Sequence, residues 1–207
     1  MSSSYAADST AADYADALLA CRRARTCLVV LLLLAMVCAI GVFVWAKYGN
    51  LLDASCPAAA RQAAAMAVAL TAFLGPVVSI VLAAVLLVIV NIMLVGRLIG
   101  LSRVVCGFFW CVLLVVLLLP WQTVAASAAG HDLRVPGVLC TWSEVLALRA
   151  PAPAARSAAQ KADVLEETLT WLRFGGWPVL AGIIVLVIHQ RTGRGLRQAL
   201  GEDQRAT

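Results

Sequence analysis

The residues of this sequence that could do chemistry are few and far apart. Seven cysteines and two histidines, His131 and His189, are the candidates for redox, metal or haem chemistry. No two cysteines stand in a CxxC spacing, so the chain carries no zinc-ligand pattern. A haem held between two histidines needs both at one level of a helix bundle. The layout derived below places His131 and His189 on opposite sides of a bilayer, and no cofactor or metal is expected. Five cysteines (Cys21, Cys27, Cys38, Cys106, Cys111) lie within or beside long apolar runs and read as small packing residues. The other two, Cys56 and Cys140, fall in two loops assigned to the outer side, where an oxidising compartment favours disulfides. A bridge between them would close an 84-residue span, which the chain-entropy account values at roughly 4 kcal/mol.

Hydrolytic chemistry finds no complete set. Ser79 lies in an apolar run without a histidine at its level to serve as base. Glu144, Asp163, Glu166 and Glu167 have the spacing of a solvated helix face. Trp171 and Arg173, with Glu167 beside them, are the groups gathered at one interface, and they read as an anchor for a membrane helix. The expectation is a protein that is not an enzyme.

What must position all of these is a membrane. Of the 207 residues, 63% are hydrophobic and only 13% charged, against roughly 45–50% and about 25% in soluble domains. Mean hydropathy is +0.94. Several apolar runs reach the length of about 20 residues that one crossing needs. The net charge of +5 does not point to nucleic acid, because the arginines flank apolar runs instead of forming one basic stripe interleaved with aromatics.

The sequence predicts an all-α integral membrane bundle with crossings at 27–46, 76–96, 104–120 and 173–189, forming a domain over 27–189. Arg22, Arg23 and Arg25 precede the first crossing, and Lys47 and Tyr48 follow it. The second apolar stretch is too long for one simple crossing: residues 63–96 as a single helix would extend roughly 50 Å against a core of about 30 Å. Gly75-Pro76 is the expected kink, with the alanine-rich part before it outside the bilayer or along its face. The third crossing stops at Pro120-Trp121, and Pro178 sits in the first turns of the fourth, where its missing donor costs least.

Residues 1–26 are expected to form a juxtamembrane tail, disordered through Leu19 up to a short helix at the membrane, and 190–207 a basic tail. Nine Lys and Arg lie in the two tails and the link between the second and third crossings, against seven on the opposite side, six of them in outer loops 47–75 and 121–172 and the seventh, Arg173, at the outer end of the fourth crossing. The nine are packed into short flanks, which places both termini in the cytoplasm and suits a bacterial inner membrane. The larger outer loop is expected to be partly helical, with a helix over 157–173 and an apolar patch of Val138, Leu139, Trp142, Val145, Leu146 and Leu148 packed on the membrane face or the second helix.

Small residues recur every fourth position along the second helix, as Ala63, Ala67, Thr71, Gly75, Ser79 and Ala83. Rows of this kind let membrane helices approach closely, within one chain or between partners. Asn91 is the most polar side chain deep in a crossing, near the cytoplasmic end of its helix and within reach of a neighbouring carbonyl. No Asp, Glu, Lys or Arg stands mid-span, which weakens a transporter or channel reading. Four helices with both ends inside and a cysteine in each outer loop resemble, in layout, the membrane thiol-oxidising quinone reductases. That family implies a redox-active pair within one loop, and here Cys56 and Cys140 stand singly. The sequence therefore points to a non-catalytic accessory or scaffolding subunit in contact with the bilayer and with other membrane subunits or its own copies. The alternative is a small oligomeric transporter or channel with Asn91, Thr71 or Ser79 lining a path.

Overall fold

The computed structural model describes residues 2–49, 51–53, 56–119, 142–147 and 168–201. The described residues hold helices and short turns, with no strand. In order they are α1 (Ser2–Tyr48), α2 (Ala58–Val95), α3 (Leu101–Leu118), the short α4 (Trp142–Ala147) and α5 (Trp177–Ala199). A π-helical turn, Leu172–Gly176, leads into α5. Among the described residues four segments are long and apolar enough to cross a membrane: Asp13–Tyr48, Ala58–Val95, Leu101–Leu118 and Thr168–Ala199. This is the membrane bundle that the apolar runs required.

One element differs from the sequence reading. The tail of residues 1–26 is helical from Ser2 as the beginning of α1, a single helix of 47 residues, not a disordered segment. Seven alanines between Ala6 and Ala20 give this stretch the highest helix propensity available, and Leu18, 1% exposed, ties it to a core. The long second helix is present as expected: α2 is helical over 38 residues, Gly75 and Pro76 included. Proline removes one donor, but in apolar surroundings the other helical bonds have no water to turn to. At about 1.5 Å per residue α2 extends roughly 57 Å, so its ends lie beyond any single hydrocarbon layer.

The α2–α3 link is a Schellman closure. The Leu98 amide donates to the Met93 carbonyl at 3.0 Å and the Arg97 amide to the Leu94 carbonyl at 3.3 Å. These are the 6→1 and 5→2 bonds that satisfy a helix's last carbonyls. Arg97 carries the left-handed backbone this motif demands, with φ of 50°, while the glycine sits one residue earlier at Gly96.

The helices contribute to two compact units. The first comprises Met1–Leu32, Val78–Val116 and Ile183–Thr207. Its buried positions recur at helical spacing on every element: Leu82, Leu86, Ile89 and Met93 on α2, Val104, Cys111 and Leu114 on α3, and Val185, Ile188, Thr192 and Leu196 on α5. α3 and α5 come together through small residues. A Cβ on Gly195 would stand 2.7 Å from Val104 Cγ2 and 3.0 Å from the Gly100 carbonyl, and one on Gly107 would collide with Thr192 Cγ2.

The second unit comprises Leu33–Val77 and Leu117–Gly182. Val145 of α4 is buried among Val42 and Ala46 of α1, Leu51, and Ala64 and Val68 of α2, with Trp142 packed beside it. The apolar loop patch is thus partly core in its described residues, while Leu146 remains exposed. Val138, Leu139, Leu148 and the expected helix before residue 168 lie outside the described residues. Phe43 stacks on Phe174 at 5.1 Å between ring centroids and meets the edge of Trp171 at 5.3 Å. The Lys47 ammonium lies 4.9 Å from the Trp171 ring centroid, a cation–π contact. Arg61 closes the link before α2, its Nη2 donating to the carbonyls of Asp53 and Cys56, both at 3.1 Å.

Candidate functional site

The residues picked from the sequence do not converge. On the small-residue row of α2, Thr71, Gly75 and Ser79 are buried and Ala67 and Ala83 half-buried, while Ala63 is exposed. Thr71 Oγ1 donates to the Val68 carbonyl at 2.9 Å, and Cys111 Sγ approaches the Ser79 carbonyl at 3.8 Å. The middle of the row is therefore packed inside the protein. Asn91 is exposed, its Nδ2 donating to the Leu87 carbonyl at 2.9 Å one turn back. Cys56 holds a free thiol, half-buried against the Val42–Val145 cluster, and no disulfide occurs among the described residues. The expected bridge to Cys140 is not found at the Cys56 end, whose surroundings are apolar side chains; Cys140 itself, like His131, lies outside the described residues.

A different group does converge, in the first unit. On α1 the buried stripe reads Leu18, Arg25, Val29, Leu32, in steps of seven, four and three, so an arginine occupies a position that helical periodicity assigns to an apolar residue. Arg25 is only 2% exposed. Its Nη1 donates to Thr192 Oγ1 on α5 at 2.8 Å, and that hydroxyl donates to the Ile188 carbonyl at 2.6 Å. Thr192 can accept because its own hydrogen is engaged within α5, the back-bonding that buried helical threonines favour. Arg25 Nε is buried without a hydrogen-bond partner, and so is His189 Nδ1.

No family model, curated protein or solved structure matches this chain. The site's meaning therefore rests on its own chemistry. Arg25 and His189 face a cleft of about 360 Å³ whose walls also carry Arg22, Thr26, Gln190, Gly193, Arg194 and Arg197. Four guanidiniums line it and no carboxylate does, among the described residues. Charges of one sign around a cleft with low-dielectric walls focus a potential that concentrates counter-ions. The cleft lies where both helices pass from apolar run to arginines: Arg22–Thr26 precede the run from Cys27, and His189–Arg197 follow the run to Ile188. Just outside it, Arg191 Nη1 lies 3.6 Å from Cys106 Sγ.

Sequence reasoning reads these arginines as topology markers, which flanking arginines commonly are. The signal that singles out Arg25 is its register, seven residues from Leu18 and seven from Leu32. A second site in this unit is an apolar groove of about 460 Å³ between Ala20, Cys21 and Ala24 of α1 and Ile80, Val81, Ala84, Val85 and Val88 of α2. Ala20 and Ala24 stand one turn apart on an exposed face, opposite Ala84.

Proposed function

We propose that this chain is a non-catalytic accessory subunit of a bacterial inner membrane, with both termini in the cytoplasm, that works by holding other membrane proteins. The groove between α1 and α2 carries this reading. Its alanines on both walls leave room for the backbone of a further helix to approach closely, which is how transmembrane helices associate where lipid supplies no hydrophobic drive. An acyl chain gains nothing specific from such small side chains. The occupant is then a transmembrane helix of another protein. The middle of the α2 row, buried within the chain, is not available for that contact.

The test is gentle extraction of tagged protein followed by mass spectrometry, in parallel with the Ala24→Leu/Ala84→Leu variant, which fills the groove without adding charge. Cys21, half-buried in the groove wall, offers a natural thiol for cross-linking whatever occupies it. A stoichiometric partner that cross-links through Cys21 and is lost in the variant supports the proposal. A lone protein, a homo-oligomer, or a partner indifferent to the variant overturns it. The transporter or channel reading has less support, since Asn91 engages its amide with Leu87 and Thr71 its hydroxyl with Val68.

A further inference from the structure

We infer that the arginine cleft of the first unit is a binding site for a phosphate-class oxyanion. This goes beyond the accessory-subunit reading and stands on separate observations.

The first is an uncompensated charge. Arg25 is only 2% exposed, and among the described residues its hydrogen-bond partner is the neutral hydroxyl of Thr192. A guanidinium so placed loses its hydration and gains no opposite charge, an arrangement proteins keep only where something pairs with it. The second is the company it keeps. Arg22, Arg194 and Arg197 face the same cleft, so the protein adds like charge around the buried cation where a structural arginine would be given a carboxylate. An anion from outside relieves the repulsion and the desolvation together.

The third is a pair of unpartnered nitrogens on residues that line the cleft. Arg25 Nε and His189 Nδ1 both lack partners and both belong to the lining. At Gly193 a Cβ would lie 3.8 Å from Arg25 Nη2 and 3.9 Å from Nη1. That is ordinary contact, so glycine adds the least cover to a guanidinium already nearly buried, and a longer side chain there would close the remaining approach from the cleft. Guanidinium groups match tetrahedral oxyanions with two parallel donors each, and such charge-assisted bonds are about twice as strong as neutral ones. The volume of about 360 Å³ lies at the small end of the range of roughly 300–1,000 Å³ for ligand sites. It accommodates a phosphate with its attached group or its waters. The anion is either the phosphate of an acidic phospholipid or a soluble phosphate.

The experiment uses the full-length protein in nanodiscs and reads its thermal unfolding midpoint. One set of discs is phosphatidylcholine alone, a second contains phosphatidylglycerol, and a third is phosphatidylcholine with inorganic phosphate titrated against sodium chloride of equal ionic strength. The midpoint rises for the wild-type chain in the second arm, the third arm, or both. A rise with phosphatidylglycerol only assigns the site to a lipid headgroup; a rise with inorganic phosphate assigns it to a soluble anion. Arg194→Gln/Arg197→Gln, altering exposed side chains that leave the core intact, weakens the half-maximal concentration about tenfold or more. Gly193→Leu, which keeps every charge and covers Arg25, removes the shift. No rise in either arm, or an equal rise in wild type and both variants, overturns the inference.

Discussion

The two partners of one buried hydrogen bond should respond to mutation with opposite signs. In Arg25→Met the side chain keeps a comparable unbranched stem on the buried stripe that also holds Leu18, Val29 and Leu32 but loses its charge. Thr192 Oγ1 is not stranded, because it still donates to Ile188 at 2.6 Å. Replacing even a paired set of buried charges by apolar side chains of similar volume is commonly neutral or stabilising by about 1–4 kcal/mol, because the desolvation of the charges is recovered. With no compensating carboxylate in the cleft among the described residues, a gain of about 1–3 kcal/mol is expected for the anion-free protein. Thr192→Val preserves the volume and leaves Arg25 Nη1 unpartnered beside an already unpartnered Nε. Losing a hydrogen bond to a charged group costs about 1.5–3 kcal/mol, and the new methyl contributes back up to about 0.8 kcal/mol, leaving a net loss of about 1–2 kcal/mol. For a chain of this size 1 kcal/mol moves the unfolding midpoint by about 2–4 °C. The assay is thermal unfolding followed by tryptophan fluorescence in maltoside depleted of anionic lipid. The Met variant should melt above wild type and the Val variant below it, each by at least about 2 °C. If Arg25→Met destabilises as much as Thr192→Val, the arginine is a structural member of the core and the argument for an uncompensated charge fails.

Three further outcomes follow from the packing. Gly195→Val brings side-chain atoms against Val104 and the Gly100 carbonyl, where a Cβ alone already stands at 2.7 and 3.0 Å; overpacking of this kind costs about 1–3 kcal/mol, read as a lower melting midpoint. Arg97→Gly relieves a left-handed residue of φ 50° and should raise stability by about 1 kcal/mol, an effect absent when the substitution is Arg97→Ala. Phe43→Ala removes the ring that contacts both Phe174 and Trp171; the expected loss is about 3–5 kcal/mol, accompanied by a red shift of tryptophan emission as Trp171 gains solvent.

The four crossings were legible because apolar run length is set by bilayer thickness, which the chain cannot evade. The start of α1 was not, because an Ala/Ser/Asp stretch with few large apolar residues has no visible face. The row on α2 was visible as a pattern, and three of its members are buried. The closer contact through Gly100, Gly107, Thr192 and Gly195 went unread because its partners are scattered over two helices about ninety residues apart, and no pattern within one helix displays a contact between two. The burial of Arg25 is hard to see for a related reason: beside Arg22 and Arg23 it looks like one more flank charge, and only its register with Leu18 and Leu32 separates it from them. Cys56 offered no local sign that its neighbours would be Val42, Ala64 and Val145.

The bond between Arg25 and Thr192 joins residues 167 positions apart, and that separation is also an interval of time. At about 5–20 residues per second, roughly 8–33 s pass between synthesis of α1 and synthesis of the threonine that receives it. Throughout that interval a charged side chain on the first helix has no α5 to dock against. An incompletely synthesised chain leaves this arginine without its acceptor, and the finished one buries it against Thr192.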